Sequence, residues 1–148
     1  MNEVYKSYMM EQLQNLISID SPTGYTAKAA EWVKEAFETL GFSAKITTKG
    51  GVLIDLGGND VNDGLFLEAH ADTLGCMVAE IKGNRRLRLT NLGGMNPNNA
   101  EAENVRVYTR DGKVIEGTCQ LCNASIHVNL EYSNTSRKWD TMEIVLDE

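Results

Sequence analysis

Apolar positions recur at three- and four-residue intervals over residues 3–18. Val4, Met9, Leu13, Leu16 and Ile17 fall on one stripe, and this spacing predicts a helix. Pro22 and Gly24 break it. A second stripe, Ala29, Trp32, Val33, Ala36, Phe37 and Leu40, predicts an amphipathic helix over residues 26–40, with Lys28, Glu31, Lys34, Glu35 and Glu38 facing water. Trp32 and Phe37 read as core by this periodicity, and Gly41 stands where a glycine closes a helix. The period then falls to two. Residues 44–48, 52–56 and 65–69 are expected as short strands, separated by Gly50-Gly51 and a loop over 57–64. After Gly75 the pattern is β only, with candidate strands at 76–81, 87–90, 105–109, 114–121, 125–130 and 142–146. Gly83-Asn84, Asp111-Gly112 and Asn134-Thr135 supply turn chemistry, and Arg110-Asp111-Gly112-Lys113 is the strongest hairpin signal. Residues 96–101 read as an exposed loop. The expected fold is α/β: the start of an α/β layer over residues 1–75, followed by a small antiparallel β-barrel or sandwich over 76–148.

Composition narrows the functional classes. An apolar fraction of 42% with 24% charged residues fits a globular chain, and 148 residues suit one compact domain or two small lobes. A net charge of −7 argues against nonspecific binding to nucleic acid or an anionic membrane. No apolar run reaches the roughly 20 residues that span a bilayer, and no leader pattern is visible. Three cysteines make an odd count for a secreted disulfide framework, so the cytoplasm is the expected compartment.

The candidate chemistry centres on Leu65-Phe66-Leu67-Glu68-Ala69-His70-Ala71-Asp72-Thr73. In extended chain, side chains two apart point the same way, so His70 and Asp72 face one spot at the end of the expected strand. An imidazole is a favoured ligand for zinc, and a nearby carboxylate can ligate or orient it. The bland alternative is a surface histidine. His127, the other histidine, reads as a strand or turn residue satisfied by backbone. Cys119 and Cys122 have zinc or redox spacing and, with Cys76 and His127, would make a four-ligand set. Their segment reads as continuous strand, however, so buried structural cysteines are the simpler reading. Glu101, Glu103, Asp111 and Glu116 contain no pair whose spacing selects a glycosidase site.

His70 and Asp72, the turn Ser21-Pro22-Thr23-Gly24-Tyr25, Gly93-Gly94 and the stretch from Val105 to Gly117 occur in an order and spacing that resemble one family. It comprises the two-metal aminopeptidases, including the tetrahedral, deblocking and glutamyl aminopeptidases and some proteins labelled endoglucanase. The resemblance covers nearly the whole chain. It implies peptide substrates, two zinc or cobalt ions, and assembly into homo-oligomers through a β domain inserted in the catalytic domain. His70 matches the family's first metal-ligand histidine, and Asp72 matches the catalytic-site aspartate that hydrogen-bonds to it. Thr73 departs from the pattern, which usually places glutamate there. His127 lies near a family histidine that is not a ligand.

The resemblance also implies that the remaining ligands and the general base come from later chain. An isolated 148-residue fragment is therefore expected to be inactive, to hold little metal, and to self-associate through uncovered sheet edges. A non-catalytic binding or assembly module derived from the family is the alternative, and an endoglucanase-labelled member a further one.

Overall fold

A computed structural model describes residues 3–60 and 62–147, so position 61 of the predicted 57–64 loop lies outside the described residues. The chain divides into two compact units, Met1–Leu74 and Gly75–Glu148.

The first unit holds helices α1 (Glu3–Ile17) and α2 (Ala27–Thr39) and an antiparallel ribbon of β1 (Ser43–Ile46) and β2 (Val52–Asp55). α2 stops as its sequence dictates. Gly41 takes a φ of +89° and donates to Glu38 O at 2.9 Å, and Phe42 N reaches back to Phe37 O at 3.1 Å. This is the paired bond pattern of a Schellman cap, completed by edge-to-face contact of the Phe37 and Phe42 rings.

Burial is thinner than the stripes predict. Ala29 and Ala30 are enclosed, Trp32, Val33, Ala36 and Phe37 are half-buried, and Leu40 is exposed. On α1, Val4, Met9, Leu13 and Ile17 stay largely exposed, because one neighbouring helix covers only part of the stripe. The expected strand at 65–69 does not form. Among the described residues no strand is paired with it to supply ladder hydrogen bonds, which an isolated β pattern cannot replace.

The second unit is one curled antiparallel sheet in the order β3-β4-β7-β6-β5. Its strands are β3 (Gly75–Ile81), β4 (Leu87–Leu92), β5 (Asn104–Tyr108), β6 (Val114–Leu121) and β7 (Met142–Leu146). Alternation selects the core: Leu87 and Leu89, Cys119 and Leu121, and Met142 and Ile144 point to one face and bury together with Ala100. Asp111 and Gly112 sit at the β5–β6 hairpin tip, where Gly112 takes a φ of +83° and donates to Thr109 O.

Two details correct the sequence reading. Ala100 is buried within the expected exposed loop, beside the short 3-10 turn Pro97–Asn99. Residues 125–130 form turns instead of a strand. Asn129 N donates to Ser125 O at 2.8 Å and the Asn129 side chain to Asn123 O at 2.8 Å, so local amide bonding wins over pairing. A bidentate pair anchors the region that follows. Arg137 Nε and Nη2 donate to the two Glu101 carboxylate oxygens at 2.7 and 2.9 Å, and the guanidinium lies over the Tyr132 ring.

Glu143 is 1% exposed on the face of β7 opposite Met142 and Ile144. Its carboxylate accepts from Lys82 Nζ at 2.6 Å and is paired with Arg86 Nη1. Burial alone pushes its pKa up, but the hydrogen bonds and charges of Lys82 and Arg86 outweigh this and hold the carboxyl below its ordinary range. Its stabilising contribution is therefore complete above the unfolded carboxyl pKa and is lost as pH falls through the lower folded value. Glu143→Ala is expected to cost about 3 kcal/mol near neutral pH. That is the low end for breaking a buried pair, since both cations keep about a third of their side-chain surface in water (31% and 37%). Urea unfolding should show the gap between variant and parent closing on acidification, and a gap constant with pH would disprove this account. No helix among the described residues is long and apolar enough to cross a membrane.

Candidate functional site

Within the first unit, two stretches nearly fifty residues apart are joined. Past α1, the chain turns at Ser21-Pro22-Thr23-Gly24. Tyr25 N donates to Pro22 O at 2.7 Å, and Gly24 at a φ of +87° supplies the positive-φ position that this turn requires. The turn is fixed to residues 71–73. Pro22 and Thr73 form an isolated parallel bridge, Thr73 N donates to Ser21 O at 2.9 Å, and the buried Ser21 hydroxyl donates to Ala71 O at 3.0 Å.

This anchoring places Thr23 beside Asp72. The Thr23 hydroxyl donates to Asp72 Oδ2 at 2.7 Å, while Asp72 Oδ1 lies 3.1 Å from His70 Nδ1. The two bonds occupy different oxygens of one carboxylate. The Thr23 hydroxyl, then the His70 ring, hold the Asp72 carboxyl below its usual range. His70 Nδ1 also lies 3.1 Å from the Asp72 carbonyl oxygen. Both atoms facing Nδ1 are acceptors, so Nδ1 carries the proton in the neutral ring and Nε2 keeps its lone pair. The His70 side chain is 85% exposed, and an outward Nε2 lone pair is the chemistry of a metal ligand oriented by a carboxylate.

The 65–69 pattern predicts His70 at a strand end. The structure puts it in a segment outside any strand, and the bridge at Thr73 does the positioning instead. Ser21 and Thr23 were legible only as part of a turn motif. Short hydroxyl residues beside a positive-φ glycine are the signal that would have marked them as anchors.

The other candidates do not converge. Cys119 is buried in the core and Cys76 packs against it. Burial first, then the neighbouring Cys119 at Cys76 and the Glu101 carboxylate at Cys119, pushes both thiols up to about 11, so both stay protonated at neutral pH. Cys122 lies just past the end of β6 and is exposed, and His127 sits on an exposed turn. Among the described residues, no group of three or more His, Cys, Asp or Glu is arranged to hold a metal ion.

Known proteins place this geometry in context. YhfE of Bacillus subtilis (strain 168), an aminopeptidase by name, is 36% identical over 139 residues, which cover 94% of this chain and 40% of that protein. The structure of aminopeptidase APDkam598 from the archaeon Desulfurococcus kamchatkensis superposes with a TM-score of 0.81 at 22% identity, over 97% of this chain and 38% of that one. The dodecameric PhTET1-12s superposes with a TM-score of 0.72 at 20% identity, over 95% of this chain and 40% of its own. The chain thus spans about two fifths of the length of the relatives it matches. The two solved structures share the mixed helix-and-strand fold with its curled antiparallel sheet. Residues 50–148, which include His70, Asp72 and the whole second unit, match the family described as M42 glutamyl aminopeptidase. The chain belongs to that family.

Proposed function

We propose that this chain forms the front portion of a metal-dependent aminopeptidase, to which it contributes one metal ligand, His70, and the residue that orients it, Asp72. The carrying observation is the bond from His70 Nδ1 to Asp72 Oδ1, which leaves Nε2 facing out. These residues fit a zinc or cobalt ion as one ligand and its partner. A complete site takes about three or four ligands, and the rest would come from the remainder of the family's length. When bound, the two divalent ions supply a water activated near neutral pH and polarise the scissile carbonyl. The chain's own part is positional. Asp72 holds the proton at Nδ1, and His70 presents the Nε2 lone pair.

Residues 1–75 would belong to the catalytic domain and 76–148 to an inserted domain used in assembly. The dodecameric neighbour supports a homo-oligomer. Three free cysteines support a reducing compartment such as the cytoplasm.

A polypeptide carrying this chain with the rest of the family's length should release the N-terminal residue from a free peptide and leave its N-acetylated form intact. A chelator should stop the reaction, and zinc or cobalt should restore it. The 148-residue chain alone should do neither. Cleavage of internal peptide bonds, hydrolysis of a glucan, or indifference to the chelator would overturn the reading.

A further inference from the structure

We infer that Thr23 is a positioning residue for the metal-ligand histidine, acting on His70 through Asp72. This deepens the function proposed above and rests on it. A carboxylate that orients an imidazole has two freedoms that spoil the job: rotation about its last side-chain bond, and a choice of which oxygen faces the ring. The Thr23 hydroxyl removes both by engaging Oδ2 at 2.7 Å while Oδ1 remains on His70 at 3.1 Å.

A hydroxyl on a loose loop would impose little. This one belongs to a turn closed by its own hydrogen bond and tied to residues 71–73 through Ser21 Oγ, Ser21 O and the Pro22–Thr73 bridge. The clamp is also independent of the ring, because none of those ties involves His70. Thr23, Asp72 and His70 therefore form a directed chain. The hydroxyl donates to the carboxylate, the carboxylate accepts from Nδ1–H, and Nε2 is left unprotonated toward solvent. Isolated neutral imidazoles favour the opposite tautomer, with the proton on Nε2, which would block the ligating nitrogen. The turn, together with the Asp72 carbonyl oxygen 3.1 Å from Nδ1, decides which nitrogen is open.

The test reads the tautomer directly and needs no catalysis. The chain has two histidines, so a long-range proton–nitrogen NMR spectrum of the metal-free 148-residue protein, in mildly alkaline buffer, contains two imidazole patterns with His127 as an internal reference. In the parent and in Thr23→Ser, which keeps the hydroxyl, His70 should show protonated Nδ1 and unprotonated Nε2. In the near-isosteric Thr23→Val, the Nε2 signal should move part of the way toward the protonated range, since the Asp72 carbonyl still accepts from Nδ1–H, while His127 stays unchanged. In the longer, metal-binding polypeptide, Thr23→Val should weaken zinc affinity by less than Asp72→Ala does, by about 10-fold, the low end for losing an outer-shell partner, with recovery in Thr23→Ser.

An unchanged His70 tautomer in a folded Thr23→Val protein would overturn the role of Thr23 and leave the assignment of His70 standing. A parent His70 protonated at Nε2 would overturn both. Amide spectra matching the parent outside residues 20–25 and 70–73 identify the folded variant.

Discussion

Removing the imidazole of His70 should cost more than removing anything around it. In a metal-loaded polypeptide of the family's full length, His70→Ala is expected to lower kcat/KM by well over the roughly 10–100-fold associated with outer-shell losses, and to lower bound metal with it. Asp72→Ala should fall within that 10–100-fold band. It leaves the ligand in place but frees the ring, which then presents either nitrogen. The order of the two effects is the informative part. If His70 were a surface histidine, both substitutions would be mild and metal content would not move. His127→Ala serves as the control, since that residue lies on an exposed turn of the second unit. Steady-state kinetics with metal analysis of each variant decides the matter, and a His70→Ala protein that keeps its metal and its rate sinks the assignment.

A structural effect as large as that of breaking the Glu143 pair is expected at a residue with no side chain. Gly117 lies on β6, paired with Leu146 of β7 on one side and Val105 of β5 on the other. A methyl group built there would sit 2.5 Å from the Val145 carbonyl oxygen, 3.0 Å from Ile144 Cγ2 and 3.2 Å from Leu146 Cα. Two of the three obstacles are backbone, and the third belongs to a core side chain, so no flexible tip can move aside. Gly117→Ala must push β6 away from β7. Overpacking a well-filled site costs about 1–3 kcal/mol, and the upper end applies because a strand, not a rotamer, has to move. At Gly112 the surroundings are open and only the φ of +83° is at stake, so Gly112→Ala should cost about 1–2 kcal/mol through left-handed strain. Thermal or urea unfolding of the two variants separates these mechanisms. A Gly117→Ala protein as stable as its parent would show that the strand spacing is not fixed as described.

Much of this architecture could be read from residue order where local rules suffice. The end of α2 at Gly41, the spans of β6 and β7 and the Asp111-Gly112 tip each follow patterns set within a few positions. Reading failed where the answer lay with distant partners. Residues 65–69 have a strand's composition, yet a strand needs another beside it. The α1 stripe has a core's periodicity but too little surface packed against it. The pairing of Glu143 with Lys82 and Arg86, from the turn after β3, likewise joins residues about sixty positions apart. In the candidate site, the His70–Asp72 spacing was visible from two residues' separation. The Thr23–Asp72 contact spans 49 positions, and the local hydroxyl–glycine pattern marks an anchor without naming its partner.

The strand order of the second unit also gives β7 a linking role. β3 with β4 and β5 with β6 are neighbours both in the chain and in the sheet. β7 comes last of the five in sequence, yet it lies in the middle, between β4 and β6. Without it the two hairpins would share no ladder, and Leu87, Leu89, Cys119 and Leu121 would lose the side chains they close on. β7 supplies Met142 and Ile144 to that core on one face and, on the other, the carboxylate that pairs with both Lys82 and Arg86.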